Sequence, residues 1–125
     1  MDNLQAHIYI VDDDQSFGRS LKRLLNARGI AADYFSSARA FLNAIPVDHK
    51  EGIAVVDIHM PECDGFSLMD KMQAIGCRIP VIVITGQSQR NAKELAIKRG
   101  AVGYLRKPFS EKALMDLILE PTNEA

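Results

Sequence analysis

Short apolar runs alternate along the chain with longer segments of helical periodicity. The first run, Ile8–Val11, is followed by apolar residues at Phe17, Leu21, Leu24 and Leu25. This spacing is typical of the buried face of an amphipathic helix. The pattern then predicts strands over residues 31–35, 53–56, 80–84 and 102–105. It predicts helices after Ser37 and over residues 66–75, 90–99 and 111–119.

Five strand–helix units in strict alternation predict a parallel sheet with helices on both faces, because each crossover is right-handed and covers one face. The strand segments lack polar alternation, as expected for strands buried on both sides. The predicted fold is α/β, with a doubly wound five-stranded parallel sheet. Residues 1–119 would form this one domain, and residues 120–125 a tail or the start of a linker.

Polar and glycine residues mark the predicted helix ends. Side-chain oxygens suited to capping a helix N-terminus are found at Asp14, Ser37 and Ser110. Glycines follow three predicted helices at Gly29, Gly76 and Gly100, where a left-handed residue would end each helix. The short helix after Ser37 is expected to stop at Pro46.

Composition narrows the functional classes. The 125 residues are 47% hydrophobic and 25% charged, as in an ordinary globular domain, and the net charge is -1. Such a balance argues against nucleic-acid or anionic-membrane binding by bulk charge. No apolar run approaches the roughly 20 residues of a membrane span, and the first residues predict no signal peptide. Cys63 and Cys77 form neither a disulfide framework nor a CxxC site, so we expect a cytoplasmic domain.

Polar side chains follow the predicted strands at their carboxyl ends. Asp12 and Asp13 follow the first strand, and Asp57 ends the third. Thr85 ends the fourth strand and Lys107 follows the fifth. Ligands of doubly wound folds bind at this edge of the sheet, so these side chains form the candidate site.

The chemistry of that cluster is restrictive. Two carboxylates a few ångströms apart repel by about 4 kcal/mol at an effective dielectric constant near 20. Lys107 supplies one compensating charge, which is too little for three acids. Mg²⁺ prefers carboxylate, water and phosphate oxygens as ligands. It would also let a phosphoryl group approach an anionic Asp nucleophile. The residues therefore predict a Mg²⁺-dependent aspartate phosphorylation site.

Four motifs at these strand ends carry a family resemblance. They are Val11-Asp12-Asp13-Asp14, Asp57-Ile58-His59-Met60-Pro61 with Asp64-Gly65, Ile84-Thr85-Gly86, and Lys107-Pro108-Phe109. From residue 8 to residue 118 the chain resembles the response-regulator receiver domains of bacterial two-component systems. The residues of these motifs are most similar to those of the FixJ-like branch, whose members usually continue into a helix-turn-helix DNA-binding domain. The resemblance implies a flavodoxin/CheY-like strand order of 2-1-3-4-5.

The resemblance also implies a role for each acid. Asp57 would be the phosphoacceptor. Asp13 would bind Mg²⁺ directly and Asp12 mostly through water, with Asp57 and the backbone carbonyl of His59 completing the protein ligands.

Further roles follow from the same resemblance. Lys107 would pair with the phosphoryl group, and the Lys107–Pro108 peptide bond would be cis. Thr85 and Tyr104 match the family's switch pair, in which the hydroxyl turns toward the phosphate and the aromatic ring swings inward. His59 and Gln87 stand two residues beyond Asp57 and Thr85, where the family tunes the lifetime of the phosphoryl group.

The implied partner is a sensor histidine kinase. The implied output surface is formed by the fourth helix, the fifth strand and the fifth helix, and carries Lys93, Ile97, Lys98, Arg106 and Asp116. Dimerisation through this face on phosphorylation and an ordinary surface explain these residues equally well. The domain is expected to contact neither nucleic acid nor membrane, and to be no enzyme beyond assisting its own phosphotransfer and dephosphorylation.

Three alternatives remain beside this interpretation. A flavodoxin-like binder of flavin or nucleotide needs a hydroxyl- or glycine-rich phosphate loop after the first strand, where this chain has aspartates. A haloacid-dehalogenase-like phosphohydrolase places its nucleophile after the first strand and needs room for a cap. A receiver that acts alone, through protein contacts, is the alternative to one that controls a DNA-binding effector domain.

Overall fold

The computed structural model describes residues 7–45, 52–60, 63–86 and 91–119. Within them five strands alternate with five helices. Their bounds are β1 (Ile8–Val11), α1 (Gln15–Ala27), β2 (Ala32–Phe35), α2 (Ala38–Ala44), β3 (Ile53–Asp57), α3 (Gly65–Ala74), β4 (Val81–Thr85), α4 (Ala92–Lys98), β5 (Gly103–Arg106) and α5 (Glu111–Leu119). The predicted tail, Gln87 and Pro46 lie outside the described residues.

All five strands are parallel, in the order β2-β1-β3-β4-β5. The register pairs Val11 with Val56 and Asp57 with Ile84, so the strand ends carrying the acids are level with one another. Every residue of β1, β3 and β4 is buried, whereas the edge strands β2 and β5 are partly exposed. The predicted parallel sheet and its strand order are confirmed.

Two apolar layers cover the sheet, because successive side chains of each strand point to opposite faces. Ile8 and Ile10 of β1 pack with α1 and α5, while Tyr9 and Val11 pack in the layer formed by α2, α3 and α4. The doubly wound arrangement is therefore confirmed. None of the helices in the described ranges is long and apolar enough to cross a membrane.

The predicted N-caps are present. The Asp14 side chain accepts a hydrogen bond from the Phe17 amide at 3.1 Å, and the Ser37 hydroxyl accepts one from the Ala40 amide at the same distance. Ser110 caps α5 in the same way. The glycines after the helices have the positive φ angles that end a helix, with values of 81° at Gly29, 82° at Gly76 and 92° at Gly100.

The fourth helix is shorter than predicted. It covers Ala92–Lys98 rather than residues 90–99. Asn91 has a φ of 70°, a left-handed conformation that cannot continue a right-handed helix, so α4 begins at Ala92. At the other end, Arg99 is the C-cap that precedes Gly100. Apolar periodicity extended the prediction because it does not register the conformation of single residues.

Candidate functional site

The sheet brings four polar side chains together at its carboxyl edge. Asp12 follows β1, Asp57 ends β3, Thr85 ends β4, and Lys107 follows β5. Three of them are almost fully buried, with exposed fractions of 0% for Asp12, 5% for Asp57 and 0% for Thr85. Polar groups so far from water need partners. Their burial therefore sets this edge apart from an ordinary solvated turn.

Three carboxylates and one ammonium form the centre of the site. Oxygen atoms of Asp12, Asp13 and Asp57 all lie within 4.8 Å of one another. The Lys107 Nζ atom donates to Asp12 Oδ2 at 2.8 Å and to Asp57 Oδ2 at 3.4 Å. The lysine thus bridges the two buried acids and sits closer to Asp12. Asp13 is exposed and completes the cluster on its solvent side.

The electrostatics show how unevenly these charges are balanced. Burial raises the pKa of Asp12, and the charge of Asp57 adds to this effect, although the hydrogen bond from Lys107 opposes it. Burial alone would lower the pKa of Lys107, but its bond to Asp12 and the charges of both acids outweigh burial and raise that pKa. The carboxylates therefore favour additional positive charge, even with the lysine in place.

The raised pKa of Asp12 predicts a pH dependence for the metal-free protein. A carboxyl group whose pKa is raised on folding binds its proton more tightly in the folded state, so stability increases as pH falls through that raised pKa. We expect Asp12→Asn to increase the free energy of unfolding at pH 7 in the presence of EDTA. The gain should shrink as pH falls toward the ordinary value of 3.8.

Urea unfolding at a series of pH values measures this effect. Asp33→Asn is the control. Asp33 is an exposed residue of β2 that pairs with His7, away from the cluster. An Asp12→Asn protein less stable than wild type at pH 7 would contradict the electrostatic account.

The donor set fits a hard divalent cation. Carboxylate oxygens from the loop after β1 and from the end of β3 converge, which is the ligand chemistry that Mg²⁺ prefers. Two of the acids are buried and one is exposed, so a cation would reach the cluster from the solvent side. The contribution of the His59 carbonyl stays a prediction.

Backbone amides hold the two buried carboxylates in place. The Asp14 amide donates to Asp12 Oδ1 at 2.9 Å, and the His59 amide donates to Asp57 Oδ1 at the same distance. The loop after Asp57 turns back tightly, since a Cβ atom at Gly65 would lie 2.7 Å from the Ile58 Cα atom. This close approach leaves no room for a side chain at position 65. These bonds fix the carboxylates without neutralising them.

The loop after β5 carries Lys107 toward the acids. The Lys107 amide donates to the Thr85 carbonyl at 2.7 Å, which ties the end of β5 to the end of β4. The Lys107–Pro108 peptide bond is cis, as the resemblance implies. Thr85 and Lys107 are in this way held in one unit at the edge of the sheet.

Thr85 and Tyr104 lie on the same face of the sheet. Tyr104 pairs with Val83, and Val83 and Thr85 are two residues apart on β4, so their side chains point the same way. The Tyr104 ring is half-buried against the apolar layer of α2, α3 and α4. This placement is compatible with a switch pair, which stays a prediction.

All five residues named for the predicted output face are exposed. They include the large apolar side chain of Ile97 in α4, and Leu119 in α5 is exposed as well. Exposure alone does not distinguish a dimer interface from an ordinary surface. The dimer therefore stays a prediction.

Sequence reasoning missed two aromatic residues that contact the site. The Lys107 Nζ atom lies 4.2 Å from the centre of the Phe17 ring, a cation–π contact. The Tyr34 hydroxyl donates to the Asp12 carbonyl at 2.6 Å. Periodicity assigned Phe17 to the buried stripe of α1 and Tyr34 to a weak strand. No motif or spacing in the chain signals either contact.

Comparisons with known proteins agree on one family. The profile of the response regulator receiver domain matches residues 8–119. The transcriptional regulatory protein FixJ of Bradyrhizobium diazoefficiens is 36% identical over 97% of this chain and 58% of its own length. The response regulator protein TmoT of Ectopseudomonas mendocina is 36% identical over 94% of this chain and 53% of its own length. The chain therefore spans about half the length of these relatives.

Solved structures give the same result. The crystal structure of FixJ-N superimposes with a TM-score of 0.87 and 32% identity, and the match covers 100% of this chain and 98% of that one. The similarity thus extends over this whole chain, including the sheet edge that carries the acids, and over nearly all of the FixJ-N chain.

Proposed function

The chain belongs to the response-regulator receiver family, in its FixJ-like branch, and we propose that Mg²⁺-dependent phosphorylation of Asp57 by a sensor histidine kinase switches its output surface. One observation carries the proposal. The buried Asp57 carboxylate lies within reach of two further acids and of the Lys107 ammonium, 3.4 Å from its Oδ2 atom. The groups that would act as nucleophile, cation ligands and counter-charge therefore lie next to one another.

Phosphotransfer needs little chemistry from the chain beyond positioning and charge stabilisation. A carboxylate oxygen of Asp57 attacks the phosphorus of the kinase phosphohistidine, the new O–P bond forms, and the P–N bond breaks. The departing imidazole keeps the electron pair and takes up a proton. Mg²⁺ would be held by Asp13, Asp57, the His59 carbonyl and, mostly through water, Asp12. When bound, it would neutralise the negative charge of the phosphoryl group and the acids.

Lys107 and Thr85 would respond to the new phosphoryl group. The lysine bridges Asp12 and Asp57 before phosphorylation, and it would turn its ammonium group to a phosphoryl oxygen afterwards. The Thr85 hydroxyl would bind another phosphoryl oxygen, and Tyr104 would move inward behind it. The added charge would select an active conformation that the domain already samples.

The output of this switch is proposed from the relatives. FixJ is named a transcriptional regulatory protein, and this chain spans 58% of it, so we infer control of a DNA-binding effector domain in the cytoplasm. The alternative is a receiver that acts alone through protein contacts. Phosphorylation would act through the face of α4, β5 and α5 in either case. Size-exclusion chromatography with beryllofluoride, a phosphoryl mimic, tests whether that face makes a dimer.

Label transfer tests the proposed reaction itself. A sensor histidine kinase carrying a radioactive phosphohistidine is expected to lose its label to this chain when Mg²⁺ is present. Transfer should stop when EDTA is added. Kinases known to phosphorylate FixJ-type receivers serve as donors. If the label remains on these kinases, the proposed partner is contradicted.

The His59 side chain is expected to control the lifetime of the phosphoryl group. The His59 backbone amide donates to Asp57 Oδ1 at 2.9 Å. The ring Nε2 atom is buried and has no hydrogen-bond partner within the described ranges. His59→Ala would remove the side chain of the residue whose amide holds Asp57, so we expect the rate of dephosphorylation to differ from that of the wild type. Decay of the radiolabelled protein measures this, with His7→Ala as the control. An unchanged decay rate would contradict the role of His59.

A further inference from the structure

Tyr34 reaches from the edge strand β2 to the backbone of the loop after β1. Its hydroxyl donates to the Asp12 carbonyl at 2.6 Å, a short distance for a hydroxyl donor. On the other side of the same residue, the Asp12 amide donates to the Phe35 carbonyl at 3.1 Å. Neighbouring residues of β2 therefore hold Asp12 by both its amide and its carbonyl.

A glycine in α1 makes room for the Tyr34 ring. A Cβ atom at Gly18 would lie 2.1 Å from Tyr34 Cε1 and 2.4 Å from Cδ1, so any other residue would collide with the ring. Gly18 lies inside α1, where glycine is less favourable than alanine because it loses more backbone freedom on folding. The helix thus has a gap at the one place where the ring crosses it. The ring and the gap fix the position of the hydroxyl.

We propose that Tyr34 is a positioning residue that orients Asp13 toward the divalent cation. The Asp12 carbonyl belongs to the same planar peptide group as the Asp13 nitrogen, so a bond that holds the carbonyl also holds the start of Asp13. Asp13 is exposed, and within the described ranges its side chain makes no hydrogen bond like the one between Lys107 and Asp12. Its carboxylate therefore depends on the backbone for its direction. The inference rests on the proposed function, because it concerns the same cation site.

Binding of Mn²⁺, measured from the loss of the free-ion electron paramagnetic resonance signal, tests this role without any phosphotransfer. Tyr34→Phe keeps the ring and removes the hydrogen bond. We expect its Kd for Mn²⁺ to increase by about 10-fold, the lower end of the usual effect of losing a group that orients a metal ligand. Tyr9→Phe is the matched control, since Tyr9 packs against Phe35 and Phe41 in the opposite apolar layer. Its Kd should equal that of the wild type.

The outcomes separate the two proposals. An unchanged Kd in a folded Tyr34→Phe protein, beside a wild type that binds Mn²⁺, would overturn the role of Tyr34 alone. An equal increase in Tyr9→Phe would also overturn it, because the effect would then belong to the loss of any tyrosine hydroxyl. A wild type that binds no Mn²⁺ would overturn the cation site and with it the proposed function.

Gly18→Ala provides a second variant. Its methyl group would displace the Tyr34 ring and should weaken Mn²⁺ binding as Tyr34→Phe does. Residues that act through one contact give non-additive effects. The Kd of the double variant for Mn²⁺ should therefore be no higher than that of the single variant with the higher Kd. Losses that add in full would contradict the shared contact. If Gly18→Ala fails to fold, the comparison of Tyr34→Phe with Tyr9→Phe decides.

Discussion

Asp57→Asn is expected to take up no phosphoryl group from acetyl phosphate in the presence of Mg²⁺, while its urea unfolding midpoint stays at or above that of the wild type. The amide lacks the anionic oxygen that attacks phosphorus. Its carbonyl oxygen can still accept the hydrogen bond that the His59 amide donates to Asp57 at 2.9 Å. One negative charge also leaves a crowded cluster, so the fold should not be weakened. Radiolabelled acetyl phosphate measures the uptake.

Asp64→Asn is the matched control for this experiment. Asp64 caps α3 by accepting from the Ser67 amide at 2.8 Å, and asparagine caps a helix about as well as aspartate. It lies seven residues after Asp57 in the same loop region but outside the acid cluster. Its labelling should match the wild type. Full labelling of Asp57→Asn would refute the assignment of the phosphoacceptor.

Lys107→Ala is expected to weaken switching far more than folding when Mg²⁺ is present. The ammonium group bonds to two carboxylates before phosphorylation and would bond to the phosphoryl group afterwards. A hydrogen bond to a charged group contributes about 1.5–3 kcal/mol. Losing one that forms only in the active state would lower the active population by roughly 10- to 100-fold. The unfolding free energy should change little, because the cation compensates the same carboxylates.

Nuclear magnetic resonance shifts of Thr85 and Tyr104 on addition of beryllofluoride report the switch, and urea unfolding in Mg²⁺ reports the fold. Lys112→Ala is the control, since Lys112 is an exposed residue paired with Asp116 on α5. A Lys107→Ala protein whose resonances shift as far as those of the wild type would contradict the role of the lysine.

The fold follows from the sequence because its signals are local and repeated. The β1 run and the α1 stripe establish one strand–helix unit, and the same pattern recurs four times. Capping side chains such as Asp14 and Ser37 mark helix starts through bonds only three residues long. The predicted start of α4 was wrong, because the true start depends on the backbone conformation of one residue, Asn91. Periodicity carries no information about a single φ angle.

The candidate site was predictable at the level of which residues meet, but not of how they pair. Asp12, Asp57 and Lys107 stand at the carboxyl ends of strands in one parallel sheet, so they lie at the same edge for any loop conformation. That Lys107 lies nearer to Asp12 depends on two loops whose residues are 95 positions apart. The Tyr34 contact further requires the gap at Gly18. Such packing between distant elements leaves no pattern in the chain.

Intact mass after incubation with acetyl phosphate, with Mg²⁺ and with EDTA in its place, tests the central claim most directly. The account predicts one phosphoryl adduct in Mg²⁺ and none in EDTA. If the adduct is hydrolysed quickly, beryllofluoride should give a stable complex with the same requirement for Mg²⁺. An adduct that forms equally well in EDTA would contradict the account. So would the absence of both the adduct and the beryllofluoride complex, since the acid cluster would then have neither its cation nor its phosphoryl group.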